Sequence, residues 1–177
     1  EEITRRMLFI LDKLFSRGVT FRGSVGMGGS EQCTPPMMRA EGFDEYVVPY
    51  DGRIVERFRR EDIPMRIHCH GKIRHALTCM REMGVAATDP VEPPPAGDVT
   101  YAEAREIAGD AITLFGNLEF DELEHADPPH IRKRVMEILS FGTQNLVLGA
   151  SAGPITHITQ RLADNYRTWI DTALEYG

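Results

Sequence analysis

Five times along this chain a short apolar run is followed by a helical pattern, and nowhere do two such runs meet in a hairpin signal. Strict alternation of this kind implies parallel strands joined by right-handed crossovers. An opening helix is expected over 3–17, with Ile3, Met7, Ile10, Leu11 and Leu14 on one stripe and Gly18 as its stop. The strands are expected over 21–26, 65–70, 85–91, 111–115 and 145–148. Between them, Thr34-Pro35 reads as a helix N-cap with proline in the first turn, and helical pattern continues in pieces to about residue 58. Further helices are expected over 73–83 and 101–108, stopped by Gly84 and Gly109. Another is opened by Asp127-Pro128 around Ile131, Val135, Ile138 and Leu139, and the last is marked by Leu162, Tyr166, Trp169, Ile170 and Ala173. No low-complexity linker divides residues 1–177, which read as one folding unit.

Two architectures suit the alternation, an open doubly wound sheet and a closed (β/α)₈ barrel, and both place the site in loops at the carboxyl ends of the strands. Here those loops are His68-Cys69-His70-Gly71, Asp89-Pro90-Val91-Glu92, Gly116-Asn117-Leu118-Glu119 and Gly149-Ala150-Ser151. No strand runs into Gly-x-Gly-x-x-Gly, which argues against a dinucleotide fold. A complete barrel takes about 250 residues, and five βα units in 177 residues are too few to close one.

Side chains alternate across a strand. Over 65–70, Met65, Ile67 and Cys69 therefore share one face and Arg66, His68 and His70 the other. The apolar face suits outer helices; the other points into a lumen. Two imidazoles two residues apart on one face can chelate one metal ion, and zinc accepts such nitrogen ligands with a third from elsewhere. Equally, both can pair with carboxylates or bind substrate with no metal present. Glu92, held by Pro93-Pro94-Pro95, and Glu119 are candidate catalytic carboxylates; Arg22, Arg66, Asn117 and Ser151 are candidate substrate contacts. For Glu92 a rigid turn and for Asn117 and Glu119 a helix cap are the plain alternatives. The glycine-rich loop at 26–30 could cradle an anion through its backbone N–H groups. His75 reads as surface or packing, and His125, His130 and His157 carry no assigned role.

Composition narrows the function classes. Lys and Arg number 20 against 27 Asp and Glu, a formal charge of −7, and no basic stripe is present. Nucleic acid is therefore a poor partner, since phosphate neutralisation dominates that affinity. Arg57 to Arg60 run straight into Glu61 and Asp62, as a solvated helix end does. No apolar run approaches the roughly 18 residues of a membrane helix. Cys33, Cys69 and Cys79 form no Cys-x-x-Cys pair, which fits a reduced, cytoplasmic protein.

Through Thr34-Pro35-Pro36, Val48-Pro49-Tyr50, His68-Cys69-His70-Gly71, Glu92-Pro93-Pro94-Pro95-x-Gly97-Asp98, Gly116-Asn117-Leu118-Glu119 and Asn165, the chain resembles the uroporphyrinogen decarboxylase superfamily. That superfamily includes the decarboxylases of haem synthesis and the zinc-dependent methylcobamide:thiol methyltransferases. The resemblance implies the C-terminal five or so βα units of a TIM (β/α)₈ barrel, with the N-terminal part missing. In the methyltransferases the strand motif resembles His-x-Cys-Gly, and a cysteine after the last strand completes a zinc site. This chain has His68 at the histidine position, His70 at the cysteine position and no cysteine in Gly149-Ala150-Ser151-Ala152-Gly153, so Glu92 or Glu119 would have to serve as third ligand. The resemblance thus implies a divergent branch, nearer the methyltransferases, with zinc and a corrinoid protein as methyl donor. The alternatives are a metal-free porphyrinogen decarboxylase and a non-catalytic corrinoid- or tetrapyrrole-binding module. A cut barrel has open edges, so self-association or pairing with an N-terminal part is also expected.

Overall fold

The computed structural model describes residues 1–153 and 157–177. Five parallel strands form one sheet: β1 (Val25–Met27), β2 (Met65–His68), β3 (Ala87–Val91), β4 (Thr113–Leu118) and β5 (Leu146–Ala150). They lie side by side in chain order, β1-β2-β3-β4-β5. A doubly wound sheet reverses its strand order at a switch point; this one never does. Strands added always in one direction are the arc of a (β/α)₈ barrel, with β1 and β5 as its two edges among the described residues.

The helices are α1 (Glu2–Phe15), α2 (Gly42–Tyr46), α3 (Val48–Arg59), α4 (Arg74–Met83), α5 (Tyr101–Ala108), α6 (Phe120–His125), α7 (Pro128–Leu139) and α8 (Gln160–Tyr176). Their inward stripes make the core. Ile54, Val55 and Phe58 of α3, Ala76, Leu77 and Met80 of α4, and Ile131, Val135 and Ile138 of α7 are buried with Met65, Ile67 and Cys69 of the β2 segment. Fully burying each such Leu or Ile contributes about 1.5–3 kcal/mol. Gly84 ends α4 in the left-handed region, and Thr100 opens α5 with a reciprocal capping box to Glu103.

The structure moves several boundaries; β2, for one, ends at His68 rather than at residue 70. The first strand begins at Val25, not at residue 21, because Phe21 packs in an aromatic trio with Phe15 and Phe58, centroids 5.7–6.0 Å apart. Thr34 opens no helix. It closes a short 3-10 turn, Ser30–Cys33, and donates its hydroxyl to Glu31 O (2.9 Å) and His70 O (3.3 Å). The last two strands run on through Leu118 and Ala150. Gly116, which reads as a stop, belongs to the ladder: a Cβ there would lie 2.9 Å from Val91 O, so only glycine lets the strands approach.

Candidate functional site

Alternation puts Arg66 and His68 on the open face of β2, half-buried, while Met65 and Ile67 are buried behind them. Arg66 lies over Phe115 of β4, 5.4 Å from its centroid, and covers Gly26, where a Cβ would meet its guanidinium at 3.3 Å. Register sets His68 of β2 opposite Asp89 of β3. Asp89 Oδ2 accepts from Arg66 (3.1 Å) and meets His68 Nδ1 at 3.2 Å. Two residues on, just past the end of β2, His70 Nδ1 meets Glu92 Oε1 at 2.9 Å, and the second oxygen of Glu92 accepts from Gly71 N at 2.5 Å. The two imidazoles stand edge to face, centroids 4.7 Å apart.

An ionised carboxylate only accepts, so each of these bonds places the imidazole proton on Nδ1. In a neutral ring, Nε2 then carries the free lone pair. Neither Nε2 has a hydrogen-bond partner among the described residues.

Glu119 continues the arc after β4. Its Oε2 accepts from Ser151 Oγ (2.7 Å), and that hydroxyl accepts from Phe120 N (3.0 Å). Its Oε1 is buried with no partner. Burial holds the Glu119 carboxyl above the usual carboxylate range, the Glu92 charge adds to this, and the Ser151 bond opposes it. Asp89 Oδ1 is likewise buried without a partner. Unpaired buried acceptors are costly, and water, an ion or a ligand can satisfy them.

Three sequence motifs meet behind the imidazoles. Gly71 turns at φ +87°, where a Cβ would lie 3.0 Å from Pro35 O, and Lys72 N donates to the same carbonyl at 3.2 Å. Gly97 packs so closely that a Cβ would overlap Glu92 O at 1.9 Å. The Thr34-Pro35 turn and the proline run thus fix His70 and Glu92 from two sides.

Of the residues singled out in the sequence, Arg66, His68, His70, Glu92, Glu119 and Ser151 come together. Arg22 does not: it precedes β1 at the amino end of the strand, exposed. Asn117 is buried and meets Arg134 of α7 through its backbone and side-chain oxygens at 3.4 Å. Asn165 donates to Leu123 O and Ala126 O (2.9 Å each), closing the end of α6. Cys69 is wholly buried, its thiol pushed up to about 12 mainly by burial, so it offers no thiolate. Asp89 is the arc member that sequence reasoning did not single out; its signal is register, two positions before the end of β3 and level with His68.

A singly wound parallel arc defines a (β/α)₈-barrel fold, and the polar row lies at the carboxyl ends of the strands, where that fold carries its sites. The model of the uroporphyrinogen decarboxylase (URO-D) family matches residues 31–175, and the chain belongs to that family. Among solved structures it is similar to a methyltransferase from Methanosarcina mazei, with TM-score 0.69 and 16% identity over 98% of this chain and 47% of that one. It is also similar to an archaeal fructose-1,6-bisphosphate aldolase, with TM-score 0.50 and 15% identity over 93% of this chain and 59% of that one. At these identities the likeness shows the fold, and the chain spans about half the length of these neighbours. No curated protein matches the sequence.

Proposed function

We propose that the chain forms the C-terminal half of a group-transfer enzyme of the corrinoid-linked methyltransferase type, with His68 and His70 as nitrogen ligands of a zinc ion at the barrel mouth. The observation that carries this reading is the pair of carboxylate-held imidazoles, each keeping Nε2 free. Metal-bound histidines regularly donate their other N–H to a carboxylate in this way, which fixes the ring and raises its basicity. Imidazole nitrogens suit zinc, and the third ligand is left to substrate, since no described His, Cys, Asp or Glu completes the pair with ligand atoms within 4.8 Å. When bound, zinc lowers the pKa of a substrate thiol so that a thiolate is available to take a methyl group.

The chain's own residues have separate tasks in this account. Asp89 and Glu92 hold the two Nδ1 protons. Arg66 balances the charge of Asp89 and presents a cation to an anionic substrate. Glu119, kept toward its neutral form by burial, is placed to exchange a proton with substrate. A corrinoid protein bearing the methyl group is the expected partner, docking over the open strand ends.

A metal-free porphyrinogen decarboxylase is the second reading. Among the described residues, His68 and His70 join no third His, Cys, Asp or Glu in a group whose ligand atoms all lie within 4.8 Å. A row of Arg66, His68 and His70 then serves to grip substrate carboxylates. Elemental analysis of the longest native form beside its His68→Ala/His70→Ala variant tests the choice. Loss of about one zinc per chain in the variant, with the fold intact, supports the methyltransferase reading. Equal metal content in both forms overturns it and leaves the carboxylate-binding reading.

A further inference from the structure

On the helix layer, sharing no residue with the arc, Asp44 of α2 and His75 and Cys79 of α4 converge. His75 and Cys79 are four apart on one helix and so lie on one face. Cys79 Sγ is 3.6 Å from His75 Nε2 and 3.5 Å from Asp44 Oδ1, and His75 Nε2 is 2.5 Å from Asp44 Oδ2. The three ligand atoms all lie within 4.8 Å of one another, the one such group among the described residues. Zinc–sulfur bonds of about 2.3 Å and zinc–nitrogen or zinc–oxygen bonds of about 2.0–2.2 Å give tetrahedral edges of about 3.5 Å. Both contacts to sulfur have that length.

We propose that Asp44, His75 and Cys79 bind a divalent transition-metal ion of the zinc class, stapling α2 to α4. The charges suit it: a thiolate and a carboxylate neutralise a dication, and the imidazole adds a neutral nitrogen. On binding, the sulfur–hydrogen bond is replaced by a sulfur–metal bond and the proton passes to solvent, so affinity rises with pH. Cys79 is buried while Asp44 and the imidazole reach the surface, which leaves an entry path and a fourth position for water. Without an ion the same residues reduce to an ion pair between His75 and Asp44 with a weak thiol donor beside it.

Cobalt(II) titration of the metal-stripped chain separates the two. Thiolate ligation gives a sulfur-to-cobalt charge-transfer band, which the His68/His70 site cannot produce. The expected result is a band saturating at about one equivalent, retained in His68→Ala/His70→Ala and absent in Cys79→Ser. Asp44→Asn, at an exposed position that leaves the core intact, should weaken cobalt by more than the about 10–100-fold that loss of an outer-shell partner costs. No band in the folded wild-type chain, or a band that survives Cys79→Ser, overturns the proposal. Because the readout follows one sulfur, failure here leaves the arc untouched, and failure at the arc leaves this site untouched.

Discussion

Asp89 and Glu92 decide what the two histidines can do, because each takes the Nδ1 side of one ring. Glu119, like Asp89, keeps one buried oxygen without a partner, and burial raises its carboxyl above the usual range. A carboxyl raised in the folded state contributes stability that is complete below its unfolded pKa and lost as pH rises through the folded one. Glu119→Gln should therefore melt higher than wild type near pH 8 and show no gain near pH 4, about the free carboxyl value. Thermal melts at both values check it, and an equal effect at both contradicts it. Gly71→Ala places a Cβ at φ +87° and 3.0 Å from Pro35 O. It should cost about 1–3 kcal/mol in chemical denaturation and disturb the His70–Glu92 pair with it. At this scale the parity of Arg66, His68 and His70 was legible, because alternation is a local rule. Asp89 was not, since it enters through register between β2 and β3, and His75 escaped because Asp44 approaches it from another helix.

Elements were legible where their signals are local. Helix α5 spans its expected residues because Thr100 and Glu103 cap its start and Gly109 ends it. Thr100→Ala removes a side-chain acceptor from Glu103 N and should cost about 1 kcal/mol in denaturant unfolding; no loss would contradict the capping account. Strand ends were less legible. Gly116 and Gly149 are ladder members, Asn117 pairing with Gly149 and Leu118 with Ala150, and nothing local distinguishes a glycine that stops a strand from one that permits close approach. The Thr34-Pro35 pair carries a helix-start signal, yet its hydroxyl is recruited by His70 O, a contact spanning 36 positions. Tertiary use overrode the local rule at the turn that supports the site.

At the scale of the whole molecule, alternation implied parallel strands but suited two architectures, and the chain-order arc β1-β2-β3-β4-β5 is the barrel's. Both edges carry apolar side chains in water. Ile3 is 75% exposed on α1 and Leu174 is 81% exposed on α8, with Met7, Ile10 and Ile170 beside them, and Val147 lies exposed on edge strand β5. A groove between α1 and β1, lined by Met7, Ile10, Leu11, Val25 and Phe58, is also open. Contiguous apolar faces flanking open strands favour association. The 177-residue chain should sediment as a species larger than one copy, and Ile3→Glu with Leu174→Glu should shift it toward one copy. A monodisperse folded monomer of the unaltered chain contradicts this. No helix among the described residues is long and apolar enough to cross a membrane.

The account rests most heavily on two imidazoles held through Nδ1 with Nε2 free for a ligand. Long-range nitrogen–proton correlation spectra of the histidine side chains, recorded with and without added zinc, read this directly. The predicted result is that His68 and His70 both carry the proton on Nδ1, and that zinc shifts their Nε2 resonances, an effect lost in His68→Ala/His70→Ala. Protons on Nε2 in both rings, unmoved by zinc, would contradict it.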